Sequence, residues 1–301
     1  MLNQLLRIVL VATLVVAAIL GHFAREAWGF PAGVLVLFVS IAVLQTSVAL
    51  AALALSAGDF LTQAPLTRRI AASAMEVFAF WRIFIQLMPF ENFWMGKAQT
   101  LPYAPDNIPV VLIPGYCCNR AMWFDLARDL GASGRLVAAV NLAPPFADID
   151  RLARQLEQHV ARVREQTGAE QVLLVGHSMG GLVARAYLAQ CGGAGVVGLI
   201  TLATPHHGSR RAKLAFGRNA RQMQWNSEWL GALNTKAPPV PVHAFWAGRD
   251  EFVSPAHSAC LSGAAETGLP LSGHYSLLWR HEARSVILRA SAPPAVARPM
   301  N

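Results

Sequence analysis

Apolar positions gather first in two long uninterrupted stretches and fall into short, punctuated elements only later in the chain. Residues 8–24 hold no Asp, Glu, Lys or Arg, and residues 27–58 are likewise uncharged. A bilayer core about 30 Å thick takes roughly 20 apolar residues in a helix, so the second stretch spans comfortably and the first lies near the lower limit. The pattern predicts two transmembrane helices within residues 1–58. The first stretch also fits a signal peptide, with Arg7 in its charged region and residues 8–20 as its apolar core, but no A-x-A cleavage site follows before Arg25.

Residues 59–106 read as an amphipathic segment and linker. Phe78, Phe80, Trp81, Phe84, Phe90, Phe93 and Trp94 are interleaved there with Arg68, Arg69, Arg82 and Lys97. Such a mixture suits a helix at the headgroup level of a membrane, and it also suits a helix packed on the domain that follows. Leu101–Asp106, with two prolines, is the linker. Beyond residue 107 strands and helices alternate. Strands are predicted at Val110–Pro114, Leu136–Leu142, Gln171–Gly176, Val196–Ala203 and Val242–Ala247. Helical periodicity places Leu152, Leu156, Val160 and Val163 on one face of 151–166, and a second helix covers Gly180–Gln190. This order predicts an α/β fold over 107–290, a mostly parallel sheet covered by helices, followed by an Ala/Pro-rich tail at 291–301.

Composition sharpens the membrane reading. Of 301 residues 54% are hydrophobic and only 14% charged, against about 25% charged in an ordinary soluble domain. Disorder is excluded. The formal charge of +8 comes without a basic run interleaved with aromatics, which argues against nucleic acid and for an anionic membrane surface. Four cysteines, two of them adjacent at Cys117 and Cys118, make neither a disulfide framework nor a zinc site, and no cofactor is implied.

The chemical signal is Gly176-His177-Ser178-Met179-Gly180, a G-x-S-x-G between an apolar strand and a helix. A nucleophilic serine needs this setting. The sharp turn projects its hydroxyl above the sheet, small neighbours admit close backbone approach, and the helix N-terminus favours developing negative charge. At these residues the chain resembles the α/β-hydrolase superfamily, and within it bacterial lipases and esterases, over about 107–290. The resemblance implies a carboxylic ester hydrolase with Ser178 as nucleophile, Asp250 as acid and His274 as base, in the family's order. Asp250 lies in Gly248-Arg249-Asp250-Glu251-Phe252-Val253, which is similar to the family's G-x-x-D-x-x-V segment but has one residue fewer between its Gly and Asp, with Glu251 as its confounder; His274 follows Gly273 before an apolar segment. Backbone N–H groups of Tyr116 and Met179 are the implied oxyanion donors, with Pro114-Gly115 where these lipases usually carry His-Gly. His206 and His207, in Thr204-Pro205-His206-His207-Gly208-Ser209, resemble a family segment without being the base, while His177 and His243 read as packing residues. The cap is expected at about 206–240. Its run of Arg210, Arg211, Lys213, Arg218 and Arg221, followed by Met223, Trp225 and Trp229, fits either lipid headgroups and an acyl chain or a solvated face. A phospholipase, thioesterase or acyltransferase would carry the same triad, and a catalytically silent membrane scaffold would keep the same fold. The implied partners are a lipid or other ester and a membrane, the bacterial inner membrane. Arg7 before the first span and Arg68 and Arg69 after the second outweigh Arg25, offset by Glu26, in the loop, which puts the hydrolase domain in the cytoplasm.

Overall fold

A computed structural model describes residues 2–56, 64–97 and 100–292. The end of the second apolar stretch at 57–58, the following residues to 63, and the predicted tail after Ala292 lie outside the described residues. Two helices open the chain, α1 (Leu2–Trp28) and α2 (Phe30–Ser56), turning back on each other at Gly29. They meet on small residues. Ala17, Gly21 and Ala24 recur at helical spacing and are buried on α1, and a side chain at Gly21 would sit 3.0 Å from the Gly33 carbonyl oxygen of α2. Small faces of this kind let apolar helices approach closely without water to drive them together. By length and composition, α1 is able to cross a membrane, and so is the run Leu66–Met95.

That run is a chain of helical segments: α3 (Leu66–Trp81), a π-helical turn (Arg82–Leu87), a 3-10 turn (Met88–Phe90) and α4 (Glu91–Met95). One stripe of it, comprising Ala72, Glu76, Ala79, Ile83 and Leu87, is buried. Ala79, Ile83 and Met88 join Val110, Leu112, Trp123 and Phe245 in one of the two apolar cores flanking the sheet. The aromatic side chains divide accordingly: Phe80 and Phe84 turn inward to Tyr275, whereas Phe78 and Phe93 are exposed.

The sheet has six strands, β1 (Val110–Ile113), β2 (Val137–Ala139), β3 (Val172–His177), β4 (Val196–Leu202), β5 (Val242–Ala247) and β6 (Ala265–Leu269). Their spatial order is β2-β1-β3-β4-β5-β6, and every pairing is parallel. Each strand read from the sequence is present; β6 is the addition. α5 (Phe124–Ala132) lies on one side of the sheet with the C-terminal α10 (His281–Ala290), and α6 (Ile149–Thr167) with α7 (Met179–Cys191) lies on the other. Local chemistry sets the limits of α6. The Asp148 carboxylate accepts from Arg151 N at 2.8 Å at its start, and Gly168 at φ 71° ends it. Between β4 and β5, where the cap is expected, lie the short helices α8 (Arg218–Gln222) and α9 (Glu228–Asn234).

Candidate active site

Strand β3 ends at His177 and α7 begins at Met179, leaving Ser178 alone on the turn at φ 52°, ψ −123°. An L-residue is costly there, so the surroundings must hold it. They do so by backbone proximity: a side chain at Gly180 would run into the carbonyl oxygens of Ile113 and Pro114, and Ser178 N donates to Leu202 O at 2.8 Å. Ser178 and His274 open into the same cavity of about 430 Å³.

His274 sits on the loop after β6, buried, with its Nδ1 at 3.0 Å from both Asp250 carboxylate oxygens. The Asp250 Oδ1 also accepts from the backbone N–H groups of Phe252 at 2.9 Å and Val253 at 2.7 Å, which fixes the carboxylate's direction. An imidazole held this way at Nδ1 presents Nε2 as its free base. Neither Tyr116 N nor Met179 N donates a hydrogen bond among the described residues, and Gly115, Tyr116 and Ser178 all line the cavity. The loop from Pro114 to Cys118 is a tight turn, with Cys117 at φ 52° and Cys118 N donating to Gly115 O at 3.2 Å. The four cysteines are free. Among the described residues no group of three or more His, Cys, Asp or Glu is placed to hold a metal ion.

Glu251 does not face His274's ring. Its carboxyl accepts from His274 backbone N at 3.2 Å and is hydrogen-bonded to Glu76, which comes from α3. Glu76 in turn accepts from Tyr275 N at 2.6 Å and Ser276 N at 2.9 Å. Two buried carboxyls thus clamp the His274 loop by its backbone. Burial, reinforced by the neighbouring Glu76 carboxylate, pushes the Glu251 carboxyl well above the usual carboxylate range, so it favours keeping its proton. Sequence reasoning missed Glu76 in this place. Its one signal was being the only acid within residues 60–90, on a stripe otherwise apolar.

Packing explains His177, His206 and His243. His177 is buried, with its Nε2 at 3.1 Å from His274 O, and burial, then repulsion from His274, drives its imidazole well below the usual value. His206 is buried between Thr201 Oγ1 at 3.0 Å and Arg185 at 3.3 Å, and burial lowers it likewise. His243 is half-buried and bonded to Thr267 Oγ1 at 2.9 Å, while His207 is exposed. In the cap, Arg211, Ala212, Ala215 and Met223 line the cavity. Trp229 instead donates to Asp150 at 2.8 Å, and Arg210 stacks over Trp225. The Tyr116 hydroxyl ties the cap down, donating to Phe216 O at 2.8 Å and accepting from Phe216 N at 3.1 Å. Another part of the cavity wall is the N-terminal segment: Leu6, Val9, Leu10 and Thr13 of α1, with Phe80, Phe84 and Ile85.

A family model described as the alpha/beta hydrolase fold matches residues 108–227, which takes in the Ser178 turn and ends inside the cap. Triacylglycerol lipases from Pseudarthrobacter phenanthrenivorans and Burkholderia plantarii are each 35% identical over 118 residues, 36% of this chain and 37% and 33% of those lipases. The chain thus spans about a third of the length of the curated relatives it matches. Among solved structures, a Bacillus licheniformis lipase in mature form superposes with a TM-score of 0.55 at 19% identity, covering 65% of this chain and 96% of that one.

Proposed function

From the premise that this is an α/β-hydrolase-fold chain similar to lipases and esterases, we propose that it is a membrane-anchored serine hydrolase of carboxylic esters, acting through an acyl-enzyme. The observation that carries the reading is the meeting of Ser178 and His274 on one cavity, with Asp250 buried behind His274. A strained Ser178 opens into it beside His274, and His274 is held at Nδ1 by Asp250 at 3.0 Å. Ser178 Oγ attacks the ester carbonyl carbon while His274 Nε2 takes its proton. Asp250 keeps the imidazole in that tautomer and stabilises the imidazolium that forms. The tetrahedral oxyanion is received by the N–H groups of Tyr116 and Met179. Collapse expels the alcohol, which takes the proton from His274; a water then gives a proton to the same nitrogen and attacks the acyl carbon, and Ser178 Oγ leaves, regaining that proton from His274 and releasing the acid.

The anchor in this proposal is the α1–α2 hairpin, crossing the bacterial inner membrane and returning, with the hydrolase domain on the cytoplasmic side. Its support is the length and apolar surface of α1, the small-residue contact with α2, and the distribution of Arg. A fluorophosphonate probe on the detergent-solubilised chain tests the nucleophile: labelling should be lost in Ser178→Ala, and labelling that survives the substitution rejects it. A panel of p-nitrophenyl esters, triglycerides and phospholipids then defines the ester class; turnover of none of them rejects the activity.

A further inference from the structure

One face of α1 serves two structures in succession. Leu6, Val9, Leu10 and Thr13 line the cavity that holds Ser178, and Ala17, Gly21 and Ala24 continue the same stripe against α2. The opposite face of α1 is exposed. Ile8, Val11, Val15 and Ile19 are all at least half exposed, at 65%, 58%, 52% and 50%. So the helix whose outer surface suits lipid has an inner surface that forms part of the reaction chamber.

The arithmetic of the helix places the chamber at the membrane surface. Spanning a core of about 30 Å takes roughly 20 residues, which leaves about seven of the helix's length outside it. With α1 covering Leu2–Trp28, the cavity-lining stretch from Leu6 to Thr13 straddles the boundary. The end of the helix is fixed there, since Arg7 Nε donates to Pro89 O at 2.6 Å and its guanidinium lies over the Phe90 ring. Across the cavity, the cap residues Ala212 and Ala215 lead to Leu214 and Phe216, which are 72% and 80% exposed. Apolar groups so exposed on both rims of one opening fit a lipid surface.

We infer that α1 forms one wall of an acyl-chain site, so that the substrate is a long-chain ester of the bilayer, entering from the membrane between α1 and the cap with its chain along Leu6, Val9, Leu10 and Thr13. This rests on the reading of Ser178 as the nucleophile. A short acyl group bound at Ser178 reaches little of that wall, whereas a long chain lies along it. The α1 residues therefore set chain-length preference, and a soluble short ester has no need of them.

The test is the ratio of kcat/KM for p-nitrophenyl palmitate to that for p-nitrophenyl butyrate, measured on the full chain in detergent micelles. Leu10→Trp and Val9→Trp should lower this ratio about tenfold or more, the equivalent of losing roughly two buried methylenes. Leu10→Ala, which adds no bulk, should lower it by about threefold through lost contact. Ile8→Trp, on the opposite side of the helix, should leave the ratio at its wild-type value. Folding of each variant is read from fluorophosphonate labelling. If every variant that labels at Leu10 or Val9 keeps the wild-type ratio, or if Ile8→Trp lowers it as much, the acyl-chain wall is refuted. Ser178→Ala separates the two claims. Loss of turnover on both esters leaves the nucleophile standing whatever the ratios do; retained turnover rejects the nucleophile itself.

Discussion

Asp250 and Glu251 are neighbours in sequence, both are buried, and both touch His274, yet they meet different parts of it. Asp250 meets the ring, and Glu251 the backbone N–H. Asp250→Asn should therefore cost on the order of 10⁴ in turnover through the wrong tautomer, while Ser178→Ala or His274→Ala costs about 10⁶. Glu251→Gln should keep activity within about tenfold of wild type, since it can still accept from His274 N. Initial rates on a short p-nitrophenyl ester rank the four variants, and a reversed order for the two acids would move the acid role to Glu251. Stability supplies a second discriminator. The folded Glu251 carboxyl lies well above the ordinary value, so its contribution is complete at low pH and is lost as pH rises towards the folded value. A glutamine has no such loss, so the melting temperature of Glu251→Gln, relative to wild type in the same detergent, should climb as pH rises above the ordinary carboxylate range. A difference that does not change with pH removes the case for a protonated Glu251. The turn that aims the Asp250 carboxylate is local, closed by Phe252 N and Val253 N, and so lies within the Gly248–Val253 segment that the resemblance singles out. What Glu251 does was not legible, since its partner Glu76 lies far away in the chain.

Elements that a local pattern defines were readable, and those defined by a distant partner were not. The five strands with continuous apolar runs and the stripe of α6 announced themselves, whereas β6, Ala-Glu-Thr-Gly-Leu at the sheet edge, has exposed Ala265 and Glu266 and no alternation to mark it. The run α3–α4 carried two readings because aromatic and basic residues mix in the same way at a membrane and on a protein. In the structure one stripe of it is core, with Ile83, Leu87 and Met88 fully buried, and Glu76 reaches the His274 loop. This sets two truncations apart. Deletion of residues 1–58 should leave a folded sheet that still labels with a short fluorophosphonate, because α1 and α2 contribute mainly the cavity wall and the hairpin. Deletion of residues 1–106 should abolish the cooperative thermal transition, because it strips one face of the sheet. Glu76→Ala is the point version. It leaves Tyr275 N and Ser276 N without their acceptor, at about 1–3 kcal/mol for each, and should lower the melting temperature and turnover together. A Glu76→Ala protein with wild-type turnover would mean that the His274 loop holds itself.

For the molecule as a whole, the hairpin restricts topology more tightly than charge counting does. α1 starts against the α/β domain, with Arg7 bonded to Pro89 O and Leu2 and Leu6 packed on the core beside the sheet. It then leads away, turns at Gly29, and α2 brings the chain back towards α3. The N-terminus and the hydrolase domain must then lie on the same side of any membrane the hairpin enters. Hydropathy made the two stretches visible but not this docking, because it does not tell an apolar face meeting lipid from one meeting a cavity. The same contact gives Arg7 a structural use, so its weight as a topology signal is shared with Arg68 and Arg69, both beyond the hairpin. These three together outnumber Arg25, the only cation in the far turn, where Glu26 sits beside it. The cytoplasm is therefore the expected side for both ends. Fluorescent fusions should glow at either terminus, and alkaline phosphatase fused at either terminus should be inactive. Activity of the phosphatase at both ends would keep the hairpin and reverse its orientation. Activity at one end only would break the hairpin, and with it the placement of α1 beside Ser178.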